Sequence, residues 1–134
     1  MLQKYKLFIY SQDPDTLVNF YTDALGMTII KKLEYDLDYG YTLEINKDGQ
    51  QIWLAKHSEV NGMSKEPYRL MLNLYVDSVQ KYYEKSIAYT GVKSIAKPFS
   101  MGSIIPGEER YAATVLDPEG NCIQFMGNLN PPRA

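Results

Sequence analysis

Asp117-Pro118-Glu119-Gly120-Asn121-Cys122-Ile123-Gln124-Phe125 is the stretch that decides the fold. Its first half is turn chemistry: an aspartate able to accept from amides just downstream, a proline with fixed φ, and a glycine free to take positive φ. The apolar run that follows, residues 122–126, reads as a strand. Working back, residues 111–116 and 94–98 read as further strands. Asp77-Ser78 reads as the cap of a helix running to residue 89, with Val79, Tyr82, Tyr83 and Ile87 as its apolar face and Gly91 as its stop. Residues 69–76 form a strand ahead of that helix. The order is strand, helix, three strands.

The first half of the chain repeats this order. Residues 6–12 read as a strand, Asp13 as a helix cap and Pro14 as a residue suited to the first helical position. Leu17, Phe20, Tyr21 and Ala24 recur at helical spacing, and Gly26 suits the left-handed position that ends a helix. Strands follow at 27–32, 39–46 and 51–56, the last two joined through Lys47-Asp48-Gly49-Gln50, where Asp-Gly signals a tight hairpin. The polar, Gly- and Pro-bearing residues 58–67 connect the copies. Residues 101–110 read as a mobile loop over a pocket, and Asn130-Pro131-Pro132-Arg133 as a loosely held tail. The expected fold is α+β: two βαβββ modules, 1–57 and 68–128, in one 134-residue domain. Each is too small to close a core alone, so their sheets should pair into a curved half-barrel with the helices on its convex side.

Composition bounds the function. The chain is 45% hydrophobic and 22% charged with a formal net charge of −2. That is the make-up of a globular protein without the basic face of a general nucleic-acid binder. No apolar run approaches the roughly 18 residues of a membrane span, and no basic-then-apolar leader opens the chain. A single cysteine permits no internal disulfide, which makes a reducing cytoplasm the expected location. Twelve tyrosines beside one tryptophan and four phenylalanines suit wet pockets and interfaces, because each ring carries a polar tip.

The ordered set of motifs resembles the vicinal oxygen chelate superfamily of glyoxalase I, fosfomycin- and bleomycin-resistance proteins and extradiol dioxygenases. The matching pieces are Asp13 with Phe20-Tyr21 and Leu25-Gly26-Met27, Tyr75-Val76-Asp77 before the second helix, and the stretch from Asp117 to Gln124. The resemblance implies homodimerisation. It also implies, in metal-using members, two His and two Glu ligands, whose positions fall here on Lys6, Trp53, Met71 and Gln124. Lysine is cationic unless desolvated, tryptophan has no ligating atom, methionine is soft, and glutamine brings no charge. No metal site and no cofactor are therefore expected.

Alternation along the strands supports this placement independently. If those four positions share a face, so do Phe8, Tyr10, Gln51, Ala55, Asn73, Tyr75, Cys122 and Met126. The other face is then Leu7, Ile9, Ile52, Leu54, Leu72, Leu74, Ile123 and Phe125, all apolar, as a helix-covered face requires. The first set is aromatic with scattered polar groups, the make-up of a small-molecule pocket. The favoured function is metal-independent binding of a small organic ligand, aromatic or cationic. Phe8, Tyr10, Trp53 and Tyr75 would supply ring area, and Gln51, Asn73 and Gln124 would orient the ligand.

Other readings of single residues stand beside this one. Lys6 is a rim cation or, if desolvated, a Schiff-base former. Cys122 is a buried thiol or an activated nucleophile. The acidic, tyrosine-rich Glu34, Tyr35, Asp36, Asp38 and Tyr39 either attract a cationic ligand or form a solvated hairpin edge. A glyoxalase-type lyase or isomerase, or a dioxygenase, would need non-standard ligands, for which His57, Glu44 and Glu59 are the available groups. A degenerate scaffold without a ligand is the third alternative.

Overall fold

The computed structural model describes residues 1–131; Pro132 and Arg133 of the tail read above lie outside them. In chain order the elements are β1 (Leu7–Ser11), α1 (Pro14–Asn19) continued by a π-helical turn (Phe20–Ala24), β2 (Thr28–Tyr35), β3 (Asp38–Glu44) and β4 (Gln51–Lys56). There follow β5 (Met71–Val76), α2 (Val79–Ile87), β6 (Lys93–Ser100), a 3-10 turn (Met101–Ser103), β7 (Tyr111–Leu116) and β8 (Cys122–Gly127). The chain divides into two compact units between Gly62 and Met63, inside the connector expected at 58–67. Each unit is a βαβββ module, and the fold is α+β as expected.

In the first module the strand order is β1-β4-β3-β2, with β1 parallel to β4 and the other neighbours antiparallel. Ile52 pairs with both Leu7 and Leu43 in register, and the next row, one residue on, is Phe8, Trp53 and Thr42. Because the pleat alternates, these rows face opposite sides. Ile52, Leu43 and Leu54 are almost wholly buried with Leu17, Phe20 and Tyr21 of the helix, and Leu7 on the edge strand is half-buried, so the helix covers the face the alternation assigned to it.

Asp13 caps α1: its carboxylate accepts from the Thr16 N–H at 3.3 Å and the Thr16 hydroxyl at 2.6 Å. The helix does not run on regularly to Ala24. At Phe20 it widens into the π-helical turn, and the Leu25 N–H reaches back to the Phe20 carbonyl. Leu17, Phe20, Tyr21 and Ala24 are buried nonetheless, and Gly26 ends the element at φ +73°. A polar strap fastens α1 to β3. The Asp15 carboxylate accepts from the Tyr39 hydroxyl at 2.7 Å and from the Tyr41 hydroxyl. These bonds, Tyr41 first, hold its pKa below the usual carboxylate value.

The second module repeats the pattern as β5-β8-β7-β6. Leu72, Ile123 and Val115 form one row and Asn73, Gln124 and Thr114 the next. β5 begins at Met71 rather than at residue 69, because the Arg69 N–H closes a turn on the Glu66 carbonyl. Ser78 caps α2, accepting from the Lys81 N–H at 3.1 Å. The buried face of α2 is Val79, Tyr83 and Ser86; Ile87, expected on that face, is 42% exposed. One residue past Ser86 turns the side chain roughly 100° away from the sheet.

The stretch around Asp117 behaves as its turn chemistry dictates. The buried Asp117 carboxylate accepts from the Glu119 and Asn121 N–H groups and from Asn121 Nδ2, all within 2.9 Å, and Gly120 takes φ +85°. Residues 101–110, read as a mobile loop, are instead tied down. The Met101 N–H bonds the Arg110 carbonyl at 2.9 Å, and the Arg110 guanidinium pairs with Glu108, which lowers the Glu108 pKa to about 2. Among the described residues no helix is long and apolar enough to cross a membrane.

Candidate functional site

The face of the first module opposite α1 carries a cleft of about 540 Å³, a volume within the range of small-molecule pockets. Strand alternation and register build it. β1 supplies Phe8 and Tyr10, preceded by Lys6; β4 supplies Gln51 and Trp53; β3 supplies Asp38 and Thr42. β2 contributes Lys31 and Leu33 together with Ile30, the extra residue of a bulge where the pairing slips between Ile29 and Lys31. A bulge places one unpaired residue in the strand and bends it, which here lines one wall of the cleft.

Of the residues expected to touch a ligand, Phe8, Tyr10, Gln51 and Trp53 all line this cleft. Their exposures sort their roles. Trp53 is 7% exposed, covered by its neighbours on the inner strand β4, so it forms a floor rather than the open stacking wall expected of it. Phe8 and Tyr10 on the edge strand β1 are 52% and 38% exposed and offer the accessible ring faces. Their rings meet edge-on at 6.3 Å between centroids, and Tyr10 in turn meets the His57 ring at 4.8 Å.

Asn73, Tyr75 and Gln124 lie on the open face of the second module. Asn73 and Gln124 are register neighbours, and Asn73 Oδ1 is buried without a hydrogen-bond partner among the described residues. Tyr75 is exposed, with the Arg110 guanidinium 6.0 Å from its ring centroid. Cys122 is buried, and desolvation pushes its thiol pKa up. That is the reverse of what a nucleophile needs.

The acidic, tyrosine-rich segment splits between the two sides of its sheet. Glu34 pairs with Lys32 at 2.8 Å, and Tyr39 serves the Asp15 strap, where Lys32 also sits 5.3 Å from the Tyr39 and Tyr41 ring centroids. Asp38 is the member of the segment that lines the cleft.

The donor set does not fit a divalent metal. Lys6 and Trp53 occupy the first module's two implied ligand positions, and Met71 and Gln124 the second's. Among the described residues, no three His, Cys, Asp or Glu side chains gather into a metal-binding group. The set considered from sequence, His57, Glu44 and Glu59, fails for a plain reason. Glu44 pairs with Gln51 at the start of β4, whereas His57 follows its end, six residues or roughly 20 Å further along. His57 Nδ1 is engaged instead by the Glu59 backbone N–H at 3.0 Å.

Residues 6–125 match the family model of the Glyoxalase/Bleomycin resistance protein/Dioxygenase superfamily, and the chain belongs to that superfamily. No curated protein matches it in sequence. Among solved structures it resembles hypothetical protein SA1046 from S. aureus, with a TM-score of 0.69, 23% identity, and 95% of this chain and 98% of that one covered. It also resembles the trypanothione-dependent glyoxalase I of Leishmania major, with a TM-score of 0.73, 19% identity, and coverage of 96% and 88%. Against a glyoxalase I mutant from Zea mays the TM-score is 0.68 at 18% identity, with 93% of this chain covered; the match spans 43% of the maize chain. At these identities the likeness is one of fold.

Lys31, Thr42, Leu33 and Ile30 also line the cleft without having been expected there, whereas Asp38 belongs to the acidic segment already named as one that attracts a ligand. Thr42 had a usable signal: the Asp48-Gly49 turn sets Glu44 opposite Gln51, which puts Thr42 opposite Trp53. Lys31 had none, because the bulge that turns it toward the cleft leaves no composition mark.

Proposed function

We propose that this chain is a metal-independent member of its superfamily that binds a small aromatic molecule in the cleft of the first module. The observation that carries the reading is the cleft itself: about 540 Å³, floored by Trp53, walled by Phe8 and Tyr10, with Gln51 and Thr42 as polar groups to orient a ligand. Asn73, Tyr75 and Gln124 are proposed as the ligand-facing residues of the second module. Retention of the ligand is the activity, and no bond need break.

We further propose a homodimer in the cytoplasm. In each module the outer strands, β1 and β2 or β5 and β6, leave edges that a second copy can cover. Ile29, Ile30 and Leu37 at one such edge are exposed.

Calorimetric titration of tag-free, metal-stripped protein with Ni²⁺, Zn²⁺, Mn²⁺ and Fe²⁺ tests metal independence. The expected result is no site tighter than about 1 µM, roughly −8 kcal/mol. Stoichiometric binding tighter than that would contradict the reading. Titration with the neutral probe 2-naphthamide tests the cleft. Phe8→Ala should weaken its binding at least about fivefold with little effect on folding, since Phe8 is half exposed. Unchanged affinity would place the ligand elsewhere.

A further inference from the structure

The cleft of the first module is polarised, and its polarity specifies the charge of the ligand. Lys6 and Lys31 line it from opposite edge strands, β1 and β2. Lys6 precedes Leu7, so it stands level with Gln51; Lys31 stands level with Thr42 and Trp53, two residues further along. The two lysines thus stand at opposite edges of the sheet, with the Trp53 floor between them. Asp38 is the carboxylate among the lining residues. It pairs with Tyr35, four residues beyond Lys31, or roughly 13 Å along the sheet.

Neither lysine forms a salt bridge among the described residues. The salt bridges among the described residues are Lys32–Glu34, Arg69–Glu66 and Arg110–Glu108. Glu44 is half-buried beside Gln51 on the same face, yet it makes no ion pair with Lys6 or Lys31 among the described residues. Lys32, the neighbour of Lys31, shows the contrasting arrangement, since it spends its charge on Glu34 and two tyrosine rings on the helix side. Two cations held open over an aromatic floor attract an anion with a planar apolar body, and a carboxylate at the far end repels a second one.

We propose that the ligand class of this cleft is a planar aromatic monoanion, such as an aromatic carboxylate, seated with its charge between Lys6 and Lys31 and its ring over Phe8 and Trp53. This inference rests on the proposed small-molecule cleft and replaces the cationic ligand expected from sequence with one of opposite charge.

The test is a matched calorimetric series on the full chain: 2-naphthoate, neutral 2-naphthamide and 2-naphthylmethylammonium, at low and at high salt. Coulomb attraction at contact distance in a water-like medium is worth about fivefold per lysine, so 2-naphthoate should bind about tenfold tighter than the amide once screening is allowed for. The ammonium probe should bind weakest. Raising salt should erode the preference. Lys6→Gln with Lys31→Gln should abolish it, and a circular dichroism spectrum and thermal midpoint like the parent's show that the variant is folded. Equal affinity for acid and amide, or a preference for the ammonium, overturns the charge inference while the aromatic cleft stands. Failure of all three probes to bind overturns the cleft as well.

Discussion

Replacing Gly40 by alanine tests the geometry on which the cleft depends. Gly40 lies on β3 opposite Ala55 of β4 and Leu33 of β2. A Cβ placed there would fall 2.6 Å from Ala55 Cα and 2.7 Å from Ala55 Cβ, and closer still to the Leu54 carbonyl oxygen. All three obstacles are backbone or rigidly attached to it, so no side-chain rotation relieves them. The strands must part in the middle of the sheet. Overpacking of this kind costs about 1–3 kcal/mol. For a chain of this size that is a fall in Tm of roughly 4–12 °C.

Gly49→Ala is the control. Gly49 sits at φ +82° with nothing within 4 Å of its would-be Cβ, so that variant carries only the left-handed backbone penalty, about 1 kcal/mol. Thermal unfolding followed by circular dichroism reads both. Gly40→Ala should also weaken 2-naphthamide binding, because parted strands displace Trp53, whereas Gly49→Ala should not. A Gly40→Ala variant that unfolds within about 1 °C of the parent would show that β3 and β4 do not approach as described.

Three further outcomes follow from the same structure. Asp15 has a lowered folded pKa, so its bonds to Tyr41 and Tyr39 contribute stability above the ordinary carboxylate value of 3.8 and lose it as pH falls through the folded value. Urea midpoints should therefore drop on acidification below about pH 4, less steeply in Asp15→Asn; an identical acid limb in both proteins would remove the strap. The buried Cys122 thiol, its pKa raised by desolvation, should react with a disulfide reagent at pH 8 at least about tenfold more slowly in native protein than in urea, and equal rates would show an accessible thiol. Asp117→Ala strands three donors in and around a buried turn and should cost about 2–4 kcal/mol by denaturant unfolding; a loss under about 0.5 kcal/mol would contradict the hydrogen-bond assignment.

Much of the fold was legible because its signals are local. Asp13-Pro14, Asp48-Gly49, Ser78 and the turn at Asp117 each announce an element boundary through side-chain or backbone chemistry acting within a few residues. Alternation then separated the two faces of each sheet, since a strand covered by a helix on one side must be apolar at every second position. Ile87 shows where such reasoning loses hold. Short helices bury a narrow stripe, and on α2 the stripe runs through Ser86 instead.

The site was half legible. Phe8, Tyr10, Gln51 and Trp53 followed from period two alone, whereas the opposite wall depended on the bulge in β2. Read without it, the pairing of Thr28 with Glu44 continues to Ile30 opposite Thr42 and sends Lys31 to the helix side. The bulge reverses this, bringing Lys31 to the cleft and leaving Lys32 and Glu34 on the helix side. The depth of Trp53 was hidden for a related reason. Its burial depends on β4 being an inner strand flanked by Phe8 and Thr42, which is a property of strand order rather than of any one segment.

The most direct measurement is chemical-shift mapping of metal-stripped, ¹⁵N-labelled protein titrated with 2-naphthamide. Saturable shifts are expected at the Trp53 indole N–H, the Gln51 side-chain amide, and the backbone of Phe8, Tyr10 and Thr42. Shifts confined to other surfaces, or appearing only after a divalent metal is added, would contradict a metal-independent aromatic cleft in the first module.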